Sequence, residues 1–565
     1  MLFYCYRAEL DIAKVSGLCY AEENEEVLLV KKHVLKIVAL IMTVCLLLSG
    51  CSYIGQYFSM LGSLLFGGGY YTLEEMEYVR PDMAQLQQLI DESCDRAAEE
   101  TNLRELLACI MEFNAAFDDF YTAQALAMIH YCKDMTNAQW EAEYNFCTEN
   151  AATLTAGVDR FYRVLAASSL RDQLESEEYF GADFFDDYEG ESIFDEEFTA
   201  MLTQEAKLQN DYFAVYAGAG DVDYYSEEFM TLYGRQMAQI LVELVLLRQQ
   251  ISEHAGYDSY AAFAYSYYHA RDFAPEQTVS YLADIRAELV PLYQQLTTSG
   301  DLGIILYESN ETLTYAYVEN MANAMGGTIA DAFWVMTEYD LYDIAPGANK
   351  YNASFEIYVR NYATPYVFLN PNGTDYDKLT FAHEFGHFCN DYASFGSVAS
   401  VDVSEVFSQG MEYLSLCYGQ TDANLEKLKM LDSLCVYVEQ AAYASFEQQL
   451  YQIPEAELTV ERIDALYAQI CRDYGLDSRM HYVLITHFYT SPMYVISYVL
   501  SNDAALQIYQ MEKAEAGAGL ACYAGQLAGT ESDFLTFLQF AGLESPFADG
   551  RIQAVKKTFE QVLCP

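Results

Sequence analysis

From about residue 78 onward, apolar residues recur at i, i+3, i+4 and i+7, the spacing that builds one face of an α-helix. The pattern is clearest over Glu99 to Phe117, Ala138 to Ala167 and Met237 to Ala255, and it predicts long helices there. Only ten prolines occur in 565 residues, which suits long helices, because an internal proline breaks the hydrogen-bond ladder. The period changes once. Ser354 to Arg360 alternates apolar and polar, and Pro365 to Asn370 is β-branched and aromatic. These predict two strands of a small sheet joined by a turn at Asn361 to Thr364, with Asn372-Gly373 turning into the next helix. Glu175 to Glu197 is acidic and aromatic with glycines at 181 and 190, and it reads as a loop or irregular lid. The fold class is therefore mainly α with a small β-sheet. At this length two or more subdomains on a helical scaffold are expected.

Composition narrows the choice of partner. Hydrophobic residues make up 52 %, a globular rather than disordered value. The 84 acidic against 29 basic residues give a net charge of −55, which excludes nucleic acid, since phosphate neutralisation needs surplus Lys and Arg. Such a charge reads first as a solvated acidic surface. The fifty tyrosines read mostly as packing residues, with a few available as donors in a site.

The N-terminal region carries a second pattern. Lys31, Lys32 and Lys36 precede an apolar run from Ile37 to Leu48, followed by Leu48-Ser49-Gly50-Cys51. A basic stretch, a short apolar core and small residues before a cut site make a secretory signal. The run falls short of the ~20 residues a membrane span needs, although an uncleaved anchor helix is the competing reading. Leu48 to Cys51 resembles the bacterial lipobox, which implies cleavage before Cys51 and its lipidation. The expected location is extracytoplasmic, lipid-anchored to the bacterial cell membrane. Glu22, Glu23, Glu25 and Glu26 fit no signal, so residues 1–29 are read as a spurious extension with translation starting near Val30. The expected organisation is 1–50 extension and signal, 51–77 tether, 78–229 helical region and 230–565 catalytic domain. Ten further cysteines are scattered without a Cys-x-x-Cys pair, so most are expected to be buried free thiols.

The chemistry centres on His383-Glu384-Phe385-Gly386-His387, inside a predicted helix with Asp375 or Asp377 near its start. Residues i and i+4 lie about 40° apart around a helix, so both imidazoles can bind one cation. Glu384 stands beside the first ligand, where it can act as general base on a metal-bound water. A catalytic zinc needs a third protein ligand and an open position. Glu405, eighteen residues after His387, is the candidate, with Glu412 on the same face seven residues later as a supporting partner; the reverse assignment competes. Asp391, one turn after His387, is a candidate to orient an imidazole. A third cluster, Thr486 to Tyr498, joins a histidine to three tyrosines; His487 and Tyr498 suit an oxyanion, while a Tyr-rich core helix is the plainer alternative.

Tyr362 to Asn390, the Glu405-x-x-Ser408-x-x-x-Glu412 pattern and the Tyr-rich segment together resemble the thimet oligopeptidase and oligoendopeptidase F family of zinc peptidases. Ser259 to Phe263 with Arg271-Asp272-Phe273, Tyr437 to Leu450, and Phe534 to Gly542 extend the likeness over roughly 230–555. Before 230 it is only generically helical. The resemblance implies a two-lobed helical metallopeptidase with a deep channel that admits short oligopeptides. It implies one Zn2+ held by His383, His387 and Glu405, Glu384 as base, and His487 and Tyr498 stabilising the oxyanion. Tyr494 and Tyr489 compete for a further family tyrosine, with Tyr494 preferred. Pro346 to Lys350 matches the family's Gly- and Lys-containing motif only in part. The strand Pro365 to Asn370 is expected to offer its edge to an extended peptide. A catalytically silent peptide-binding surface lipoprotein is the alternative function.

Overall fold

The computed structural model describes residues 70–564, apart from 177–178, 220–221, 225, 300–302, 397–399, 479–480 and 530–532. The signal segment and Cys51 lie outside the described residues. Residues 70–171 and 185–565 form one compact unit, which residues 172–184 do not join. Among the described residues, no helix is long and apolar enough to cross a membrane.

The fold is mainly α. Helices begin where a short polar side chain can take the first free backbone N–H groups. Asp82 caps α1 (Met83–Glu99), Asn102 caps α2 (Leu103–Lys133), Asn137 caps α3 (Ala138–Ala166) and Asp195 caps α4 (Glu196–Gly218). The helix expected from Glu99 thus starts four residues later. Glu99 closes α1, Glu100 is extended, and Asn102 restarts the helix. α5 (Arg235–His254) packs on α4 across the boundary expected at 229–230. Residues 70–77, read as the end of a tether, are packed instead: Leu73 and Met76 are buried, and the Glu77 N–H donates to the Tyr362 hydroxyl at 2.7 Å. Among its described residues, the acidic stretch is irregular from 179 to 195 apart from a 3-10 turn at Asp186–Tyr188, with carbonyls of Tyr188, Glu189 and Gly190 bound by Arg163. Its last two residues, Glu196 and Glu197, open α4, where negative charge suits the helix dipole.

The sheet has three strands in the order β1-β3-β2. β2 (Ser354–Val359) runs antiparallel to β3 (Thr364–Leu369), with Ser354 opposite Leu369 and Val359 opposite Thr364. The turn between them is a 3-10 segment, Arg360–Tyr362, closed by Ala363 at φ +46. The strand missed by the alternation is β1 (Tyr342–Asp343), too short to show a period, which pairs parallel to β3. That pairing overturns one expectation: β3 is the central strand, and of the two long strands only β2 has an outer edge. The central position explains why every residue of β3 is buried.

Behind the sheet lies α6 (Tyr376–Ser394), which carries His383, Glu384 and His387. Asp377 anchors its start by accepting from the N–H groups of Asn372, Gly373 and Thr374. α7 (Val401–Tyr418), capped by Ser400, packs between α6 and α9 (Ile496–Ala514), and its residues Val403 to Ser415 are almost all buried. A helix enclosed on all sides is apolar all round except where its polar groups face each other. α8 (Ala441–Leu450) follows a helix Ala423–Cys435 through one π turn, Val436–Gln440. Gly386 sets the distance between α6 and α7. A Cβ there would stand 2.5 Å from the Phe407 carbonyl oxygen and 2.7 Å from the Ser408 Cα, so only glycine allows this crossing.

Candidate metal and catalytic site

The close crossing at Gly386 delivers Glu405 to the two histidines. His383 Nε2 lies 3.4 Å and His387 Nε2 3.7 Å from Glu405 Oε2, and donor atoms of the three residues all fall within 4.8 Å of one another. Both imidazoles are oriented from behind. His383 Nδ1 meets Glu412 Oε1 at 2.8 Å, and His387 Nδ1 meets the Ser404 hydroxyl at 3.0 Å. Each Nε2 is thereby turned toward Glu405, as a shared ligand set requires. Of the two carboxylates left open by spacing, Glu405 faces both imidazoles and Glu412 stands behind His383.

Burial would raise the Glu405 pKa, but the two imidazoles and the Tyr494 hydroxyl outweigh it and hold the carboxyl at about 2. Burial lowers His387 to about 4. Burial also opposes the charged form of His383, yet its bonds to Glu405 and Glu412 raise it well above the usual value. Glu384 is pushed up to about 7, chiefly by burial, with His383 and a Ser354 hydrogen bond acting the other way. A carboxyl near neutrality can both take and return a proton.

A cavity of about 530 Å³ opens on this group, lined by His383, Glu384, His387, Glu405, His487 and Tyr498 among others, with no Lys or Arg in its wall among the described residues. A second cavity, of about 300 Å³, shares Ser354, His383, Glu384 and Tyr498 with the first, so open space flanks Glu384 on both sides. The Thr486–Tyr498 segment is not one helix. A single turn (His487–Thr490) is followed by a bend, and α9 begins at Ile496. His487 Nε2 and the Tyr498 hydroxyl are 3.2 Å apart, and the Tyr494 hydroxyl donates to Glu405 Oε1 at 2.6 Å. Burial keeps His487 below its usual pKa and both phenols above theirs, so the ring and the hydroxyls are neutral donors.

Residues 73–192 match the family model of the peptidase M3 N-terminal domain. The fold matches PZ peptidase A with a bound inhibitor at a TM-score of 0.79, with 20% identity over 87% of this chain and 99% of that one. It matches a protein described as oligoendopeptidase F from Bacillus anthracis str. Ames at 0.77, with 21% identity over 88% and 99%. Oligoendopeptidase-F from Enterococcus faecium gives 0.53, with 14% identity over 85% and 97%. No curated protein matches by sequence. The family match is to the N-terminal domain alone, and the likeness to the solved structures, at 14% to 21% identity, is one of fold.

The family model covers the very region, before residue 230, where the sequence shows only generic helicity. Two residues singled out in the sequence lie elsewhere. Tyr489 is fully buried, stacks on Tyr212 at 3.8 Å and donates to the Met237 carbonyl, and it is no part of the cavity wall. Its side chain points away because the short turn puts residues 487 and 489 on opposite sides. Asp391 faces Glu356 on β2, and burial raises both carboxyls. Ser404, Ser354 and Lys429 are the functional neighbours that sequence reasoning missed. Lys429 Nζ bonds Glu412 Oε2 at 2.7 Å. Only Ser404, adjacent to Glu405, had any positional signal. The ten described cysteines are unpaired, and six of them are buried.

A further carboxyl behind the segment gives a pH prediction. Glu447 on α8 accepts from the Met493 N–H at 2.7 Å, and burial pushes its pKa up to about 8. The unfolded value is about 4.3, so between the two the folded state holds a proton the unfolded state has lost. Stability therefore falls as pH rises across that window. Glu447→Gln removes this slope. Its melting temperature relative to wild type should climb from roughly pH 5 to pH 8, and a pH-independent difference would refute the assignment.

Proposed function

We propose that the protein is a zinc-dependent metalloendopeptidase acting on short oligopeptides. The supporting observation is the fit of the donor set. Ligands of a tetrahedral zinc with bonds of about 2.05 Å stand about 3.3 Å apart. The separations here are 3.4 and 3.7 Å between the Glu405 oxygen and the two imidazole nitrogens. Two nitrogens and one carboxylate oxygen are also the chemistry that leaves a catalytic zinc one open position. His383, His387 and Glu405 would hold the ion, with Glu412 and Ser404 fixing the rings.

A bound Zn2+ supplies Lewis acidity, which polarises the scissile carbonyl and acidifies water. Glu384 takes the proton of the attacking water and passes it to the leaving amine. His487 and Tyr498, 3.2 Å apart on the wall of the cavity, donate to the oxygen on which negative charge develops. The outer edge of β2, with Ser354 to Glu356 on the cavity wall, is suited to pair with an extended peptide. We also propose that the chain works outside the cytoplasm, lipid-anchored through Cys51; the support is the Leu48 to Cys51 motif.

A quenched-fluorescent peptide series separates this reading from a silent peptide-binding protein. Cleavage is expected, lost on removing metal with a chelator and restored by Zn2+. Binding of peptide without cleavage, with zinc fully loaded, would leave the binding protein as the answer.

A further inference from the structure

Tyr494 reaches Glu405 from a stretch of irregular backbone, residues 491–495, that is gripped by buried side chains. Met493, immediately before Tyr494, has φ +64 and is 2% exposed. This region is disfavoured for any residue with a Cβ, and such a residue persists where its surroundings over-determine it. Here both of its backbone polar groups are bound by ionisable side chains. The Met493 N–H donates to Glu447 Oε1 at 2.7 Å, and its carbonyl accepts from Arg271 Nη1 at 3.0 Å. Arg271 is itself fixed on Asp402, at 2.9 Å, in the first turn of the helix that carries Glu405. One residue earlier, the Pro492 carbonyl accepts from His269 Nε2 at 2.9 Å. The His269 ring also lies edge-on to Tyr494, with centroids 6.1 Å apart at 77°. Further back, Arg248 donates to the carbonyls of Phe488 and Tyr489.

We propose that Glu447, Arg271 and His269 are positioning residues for the metal site, acting through the backbone of Pro492 and Met493 to aim the Tyr494 hydroxyl at Glu405 Oε1. The consequence lies in which carboxylate oxygen is left for the ion. With Oε1 engaged by Tyr494 at 2.6 Å, Oε2 is the oxygen facing both imidazoles. Freed of that bond, the carboxylate keeps the Ser408 hydroxyl on Oε2 at 2.8 Å but can turn about it, and the ligand set loses its arrangement. The proposal rests on reading His383, His387 and Glu405 as a zinc site.

The test is a double-mutant cycle on zinc affinity, read by chelator competition on the full chain, and it needs no catalytic activity. Tyr494→Phe and Glu447→Leu are each expected to weaken zinc binding about 10-fold, the scale typical of a lost ligand-supporting bond. The double variant should lose no more than about 10-fold, because both changes remove the same hydrogen bond. Glu447→Gln keeps the oxygen that accepts from Met493 and should stay within about threefold of wild type. A multiplicative loss of about 100-fold in the double variant would overturn the proposal, as would a Gln variant no better than Leu. Should Glu447→Leu fail to fold, His269→Phe replaces it in the cycle with the same expectation, since it keeps the edge-on ring and removes only the bond to Pro492. Wild-type protein that binds no zinc overturns the metal reading and this proposal together. Zinc binding with additive losses overturns the positioning alone.

Discussion

Glu384→Gln is expected to lower peptide turnover by about 10³-fold or more while zinc still binds. The amide keeps the size and shape of the side chain but cannot take a proton from water. The site is built so that this one function is separable from metal binding. His383 and His387 are fixed through their Nδ1 atoms by Glu412 and Ser404, not by Glu384. Glu384 is buried, carries a pKa raised to about 7 and borders both cavities. Loss of turnover with unchanged zinc content, measured on the same preparation by metal analysis and a quenched peptide, is the expected pair of results. Turnover within tenfold of wild type would remove Glu384 from the role of base.

Lys429→Met is expected to give the largest effect on stability. Lys429 has a side chain only 1% exposed, and its ammonium holds Glu412 at 2.7 Å and Asp432 at 3.2 Å. Asp432 in turn accepts from the Tyr376 hydroxyl at the start of α6. Methionine fills the same volume, so little cavity forms, but the buried Glu412 and the half-buried Asp432 lose the ammonium between them. Leaving a buried partner uncompensated costs about 3–5 kcal/mol. The same change frees Glu412, so the His383 ring loses its fixed tautomer and zinc affinity should fall about 10- to 100-fold. A thermal melt and a chelator competition read the two effects. An unchanged melting temperature together with unchanged affinity would show that the ion pair carries neither.

The reach of the sequence can be judged residue by residue. His383, Glu384 and His387 were legible because helical geometry alone places i and i+4 side by side; no tertiary information is needed for that. The two long strands were legible from their alternation, and Glu405 from a spacing compatible with a facing helix. Where periodicity had nothing to count, reading failed: a strand of two residues, Tyr342–Asp343, moved the exposed edge from β3 to β2. The helix expected from Glu99 failed for a related reason, since two helices in succession share one apolar period and only the Asn102 cap divides them.

What the sequence by itself determined is local: which stretches are helical, which side chains are able to ligate a metal, and that His487 and Tyr498 lie in one Tyr-rich segment. What only the tertiary structure decided is which of these meet. Gly386 looks like any other residue of the motif in one dimension, yet its missing Cβ lets α6 and α7 cross closely enough for Glu405 to face both imidazoles. That Glu405 and not Glu412 faces both imidazoles, that Tyr494 and not Tyr489 reaches Glu405, and that Ser404 bonds the His387 ring all follow from such packing. Each depends on side-chain direction across an interface, and a distance between helices is set by the whole set of side chains between them, which no spacing along the chain encodes.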